Sequence, residues 1–116
     1  MNFDLFSKTV DSLYPTLPMQ YTKEECLNVF EYFFLAYKLH RHEDHPPLKL
    51  DQIKQLMVKM QYLDGRQDGP PDVESYEYPD LIELYFNTSF KNCNYRINHF
   101  FSGRVREMRL YELLYS

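Results

Sequence analysis

Tryptophan is absent from this chain, glycine occurs three times and cysteine twice, and each shortage excludes something. With glycine only at Gly65, Gly69 and Gly103, there is no glycine-rich turn able to bring backbone N–H groups around a phosphate, so nucleotide cradles are excluded. H-E-x-x-H, C-x-x-C and G-x-S-x-G are missing too, which removes the zinc-protease helix, the paired-thiol motif and the nucleophile elbow. Long apolar runs are lacking. The most apolar stretch is broken by Asn28, Glu31 and Lys38, well short of the roughly twenty residues a membrane span needs. The opening MNFDLFSKTVD has no basic lead followed by an apolar block, so it does not read as a secretion signal and a cytoplasmic location is expected. In that reducing setting Cys26 and Cys93 are expected to be free thiols.

What is abundant is aromatic side chain: 11 Tyr and 9 Phe in 116 residues, within 44% hydrophobic and 26% charged composition. A chain of this size buries roughly two-thirds of its unfolded surface without metal or disulfide, so one globular domain over residues 1–116 is expected. The net charge of −4 is unevenly laid out. Residues 1–90 carry 8 Lys+Arg against 15 Asp+Glu, and residues 91–116 carry 5 against 2. Such a two-ended molecule either joins its own halves or shows a field to a partner.

The organising stretch is residues 22–40. Thr22 and Glu25 have the S/T-x-x-E spacing of a capping box, and beyond them Leu27, Val29, Phe30, Tyr32, Phe33, Phe34, Leu35, Ala36, Tyr37 and Leu39 cover nearly the whole circumference. A helix apolar all round is one buried from several sides. Phe3, Phe6, Val10 and Leu13 mark an amphipathic helix behind an Asn2 cap, followed by a proline-bearing connector over residues 14–19. Leu50, Ile53, Leu56, Met57, Met60 and Leu63 mark a third helix, with Gly65 just past its end. Residues 64–78, with two Asp-Gly pairs and three of the prolines up to Pro79, form a long acidic loop in which residues 73–78 carry the alternation of a short β edge. Pro79 and Asp80 suit a helix start. Asn94 is the expected cap of a short fifth helix closed by Gly103, and Val105, Met108, Tyr111 and Tyr115 mark a last one. The fold expected is therefore all-α, a compact bundle of five or six short helices around the buried helix 22–40.

Three surfaces compete for function. The acidic loop offers Glu74, Tyr76, Glu77 and Tyr78, and tyrosine suits protein interfaces because it buries much area while keeping a hydroxyl for the partner. This favours a small, non-enzymatic interaction module, regulatory or inhibitory, with a protein partner and no cofactor. The runner-up is a nucleic-acid-binding accessory protein, helix-turn-helix or winged-helix-like, whose Arg96, Arg104, Arg106 and Arg109 would meet phosphates. The third is His40, His42 and His45 with Glu43 and Asp44, ligand types for a divalent metal but at a spacing that matches no specific site. Cationic or polar groups closing a helix before Pro46 and Pro47 are the expected explanation, and no metal is expected. Cys93 would be a nucleophile only beside a base, and His99 with Ser102, at helical spacing, is expected to pack or cap.

Overall fold

Thr22 has extended backbone, its hydroxyl accepts the Glu25 N–H at 3.1 Å, and the Glu25 carboxylate accepts the Thr22 N–H at 2.8 Å. Two otherwise orphaned donors are thus satisfied reciprocally, and the longest helix, Lys23–Arg41, begins there. It ends where His42 turns left-handed (φ 61°) and returns its N–H to the Lys38 carbonyl. The structure, a computed structural model, describes residues 1–63 and 68–115, without the side chains of residues 103, 104, 110, 111, 114 and 115. In chain order the helices are α1 (Phe3–Leu13), α2 (Lys23–Arg41), α3 (Leu50–Lys59), α4 (Tyr78–Phe86), α5 (Ile97–Phe100) and α6 (Gly103–Tyr115), with single 3₁₀ turns at Tyr14–Thr16 and Ser75–Glu77. Among the described residues there is no strand. None of the described helices is long and apolar enough to cross a membrane.

The layers follow from the apolar faces. α2 packs on α4, α4 on α6, and α1 lies against α2 and α3. Phe6 of α1 meets Phe30 and Phe34 of α2 edge-on at 4.8 and 5.1 Å between ring centres, while Phe33 reaches Phe86 and Phe100 at 5.2 and 5.4 Å. Edge-to-face rings at these separations add to the plain gain from burial. A radius of gyration of 13.6 Å is close to the roughly 13 Å of a compact chain of this length.

Several expectations need correcting. The residues 73–78 are not a β edge, because the Glu77 carboxylate accepts the Glu74 N–H at 2.6 Å and winds Ser75–Glu77 into a helical turn. Arg96, not Asn94, occupies the cap position of α5, and Gly103 opens α6 instead of closing α5. α3 stops at Lys59, short of Leu63, and Gly65 lies outside the described residues. α2 is not buried all round. Leu35 and Leu39 are 63% and 72% exposed, although Phe30, Phe33 and Phe34 are buried.

Candidate functional site

The end of α3 draws in two of the residues expected at the surface, Tyr78 and Arg106. A helix terminus leaves its last carbonyls short of intrahelical partners, and three side chains from distant segments converge on the main-chain carbonyls at and just beyond this end. Tyr21 donates to the Val73 carbonyl at 2.5 Å, with the Met60 carbonyl 3.0 Å away. Tyr78 donates to the same Met60 carbonyl at 2.5 Å. Arg106 donates to the carbonyls of Lys59 and, at 2.6 Å, Tyr62, and to the Tyr78 hydroxyl at 3.1 Å. A guanidinium at the negative end of a helix is well placed. All three side chains are buried, and burial pushes the Tyr78 hydroxyl up to about 12. Tyr78 therefore caps α3 and is not part of a partner-binding loop.

The arginines expected to meet phosphate divide in the same way. Arg106 is 1% exposed and Arg109 5%, the latter donating to the Thr88 hydroxyl and the Glu112 carboxylate at 2.5 and 2.6 Å. Neither is offered to a nucleic acid. Arg96 is exposed, and the Arg104 side chain lies outside the described residues. The histidine cluster also comes apart. His45 is buried at 2% exposure, its Nε2 accepting the Ile97 N–H at 3.0 Å and its Nδ1 donating to the Pro46 carbonyl at 2.8 Å. Both ring nitrogens are engaged, so His45 is a staple between the loop after α2 and the start of α5, and no lone pair remains for a metal. His40 stacks on Phe86 and lies 3.6 Å from Glu83, whereas His42 is the exposed helix cap. Among the described residues no group of three metal-ligating side chains is assembled.

What does assemble is a surface that the sequence expectations only touched. Asn28, Tyr32, Leu35 and Leu39 fall within one narrow band of α2 at 100° per residue, and the last three are exposed to 36%, 63% and 72%. Beside them Tyr76 stands 78% exposed, and Tyr32 and Tyr76 line the same hollow of about 250 Å³ between α2 and the start of α4. The Ser75 hydroxyl donates to the Glu25 carboxylate at 2.7 Å, and Val73 and Tyr78 on either side are buried. Tyr76 is thereby held out from an anchored turn.

Carboxylates rim this stripe. The Tyr32 hydroxyl donates to Glu83 at 3.1 Å, and burial together with Glu83 and Asp80 raises it above the ordinary phenol range. Glu25 is held below the usual carboxylate range by the Thr22 N–H and the Ser75 hydroxyl, so it stays ionised. Glu31 and Glu74 are exposed, and Lys38 is paired with Asp44 at 3.3 Å. Of the expected loop set, Glu74, Tyr76 and Glu77 remain at the surface, and the residues missed were Leu35 and Leu39. Hydropathy alone does not distinguish them from their buried neighbours. No protein-family model, curated protein or solved structure matches this chain.

Proposed function

We propose that this protein is a small non-enzymatic interaction module, a regulatory or inhibitory accessory protein that docks a basic amphipathic helix of a partner protein on α2. The observation that carries this is the register of Tyr32, Leu35 and Leu39 on one exposed helix face, continued by Tyr76 and edged by Glu25, Glu31, Asp80 and Glu83. Apolar anchors supply affinity in helix-in-groove recognition, and a charged rim steers and orients the partner. From Tyr32 to Leu39 the stripe runs about 10 Å, two turns of helix, which matches anchors spaced i, i+4, i+7 on the incoming segment. Tyr76 reduces the ordering cost because its turn is already fixed by Ser75 and Glu25. A second copy of this chain is a poor occupant, since it would bring carboxylates against carboxylates.

Selection from a displayed library of helical peptides tests this directly, with the L35D/L39D double variant as the counter-target. Enrichment of peptides that carry Lys or Arg beside apolar i, i+4 positions, and that lose binding to the variant, is the expected result. Peptides binding the variant equally well, selection with no basic preference, or self-association abolished by the same substitutions would each overturn it.

A further inference from the structure

Cys93 is not isolated. Loop residues 87–96 fold back so that its sulfur lies 3.3 Å from His99 Nδ1 at the end of α5 and 3.8 Å from the Tyr85 hydroxyl of α4, with the Tyr95 N–H donating to it at 3.2 Å. The loop is locked in that shape: the Tyr95 hydroxyl donates to the Thr88 carbonyl at 2.7 Å and accepts the Phe90 N–H at 2.9 Å. Asn92 and Tyr95 both take left-handed backbone, φ 56° and 57°. His99 is fixed as well, edge-on to Phe90 with ring centres 5.1 Å apart and 2.8 Å from the Tyr85 oxygen.

We propose that Cys93 is a thiol-exchange site, activated by His99, that forms a mixed disulfide with small anionic disulfides of the glutathione type. In the Nε2–H tautomer of neutral His99, Nδ1 has one lone pair, reachable by the Tyr85 hydroxyl and the Cys93 thiol. When the thiol proton moves to Nδ1, the imidazolium N–H points back at the sulfur. The Tyr95 N–H already points there, and the Tyr85 hydroxyl, which burial keeps protonated, is free to turn towards it. Three donors then face one thiolate, the form that attacks. The Cys93 sulfur bonds to one sulfur of RS–SR as the RS–SR bond breaks, and the departing RS⁻ takes the proton from His99 and leaves as RSH. One disulfide is consumed and one formed, so no other oxidant is needed.

The surroundings select the reagent's charge. Arg41 of α2 lies over the Tyr95 ring at 4.9 Å, and Lys91 and Arg96 flank Cys93 in the loop, both exposed. Arg109 of α6 covers Phe90 but is paired with Glu112. Cys26 provides an internal control, because it is fully buried and burial pushes its thiol up to about 12.

The test is incubation of the whole protein with glutathione disulfide over about pH 6 to 8, with the adduct located and timed by mass spectrometry. Cys93 is expected to take the adduct before Cys26, and faster than the same thiol does in the urea-unfolded chain. H99Q, checked for native circular dichroism, is expected to slow the reaction about tenfold and to move its pH profile towards that of the unfolded thiol. Cationic cystamine is expected to react more slowly than glutathione disulfide. A native rate no greater than the unfolded one, an unchanged rate and profile in H99Q, or a preference for cystamine would overturn the proposal, and the first comparison needs no variant.

Discussion

Two groups of tyrosines in this molecule lie close together and have opposite fates. Tyr21 and Tyr78 are buried, each hydroxyl bonded to main-chain carbonyls around the end of α3, and Arg106 completes the cluster. Tyr32 and Tyr76 sit at the surface beside two exposed leucines, with Tyr76 two residues before Tyr78. The difference is one of acceptors. A phenol is stable inside only where a partner replaces the water its hydroxyl loses. The Val73 and Met60 carbonyls do so for Tyr21 and Tyr78, whereas Tyr32 donates to a half-exposed carboxylate, that of Glu83. The buried pair ties distant segments together, and Tyr32 and Tyr76 stay at the surface.

Removing the guanidinium should break this division most severely. Arg106→Met is expected to lower stability by about 3 kcal/mol, because three buried charge-assisted bonds, to the Lys59 and Tyr62 carbonyls and the Tyr78 hydroxyl, would be lost together. Urea unfolding measures the loss. An unchanged midpoint would mean that water enters and the cluster is not a closed cap. Next in size, Tyr78→Phe is expected to cost about 1 to 2 kcal/mol through the lost bond to the Met60 carbonyl, whereas Tyr76→Phe should stay within about 0.5 kcal/mol. Equal effects from the two substitutions would erase the distinction between buried and exposed tyrosines.

A smaller effect follows from His45. Burial, and to a lesser degree the charges of Arg96 and the N-terminus, hold it below the ordinary histidine value of 6.5, against the opposing bond to the Pro46 carbonyl. The unfolded chain therefore binds a proton that the folded chain refuses. Stability is complete above pH 6.5 and declines as pH falls from there through the lower folded value, where protonated Nε2 no longer accepts the Ile97 N–H. Denaturation midpoints across this window should slope downward in the wild type and flatten in His45→Gln.

How much of this was legible in the sequence depended on distance along the chain. The Thr22–Glu25 box and the Asn2 cap use bonds three residues apart, so the spacing itself carried them. The Glu74–Glu77 bond spans the same three residues, but glutamate is not a capping-box residue at the first position, so only the alternation of Tyr76 and Tyr78 stood out. Arg106 was opaque for a different reason. Two of its three acceptors lie 44 and 47 residues away and are main-chain carbonyls, which no residue type announces. His45 likewise depends on a backbone N–H 52 residues distant. The base for Cys93 lies six residues on, across a loop whose shape is set by two left-handed residues, so no regular period pointed to His99. On α2 the information was degenerate: with apolar side chains on every face, periodicity could not say which face lacked a neighbour.

That degeneracy makes Leu35 and Leu39 the sharpest remaining probes, and the change expected in stability is the smallest. Both already stand mostly in water, so an aspartate at either position removes little buried area, and surface changes of this kind usually stay within about 0.5 kcal/mol. The new charges would nevertheless lie within an acidic rim, beside Glu31 and near Glu83, so a slight loss that salt relieves is expected. Thermal unfolding of L35D/L39D in low and high salt separates the two possibilities. A loss of several kcal/mol, insensitive to salt, would show that these leucines pack against something in the folded molecule. The two leucines would then belong with the buried tyrosines as part of the core, leaving Tyr32 and Tyr76 as the large side chains that this face exposes.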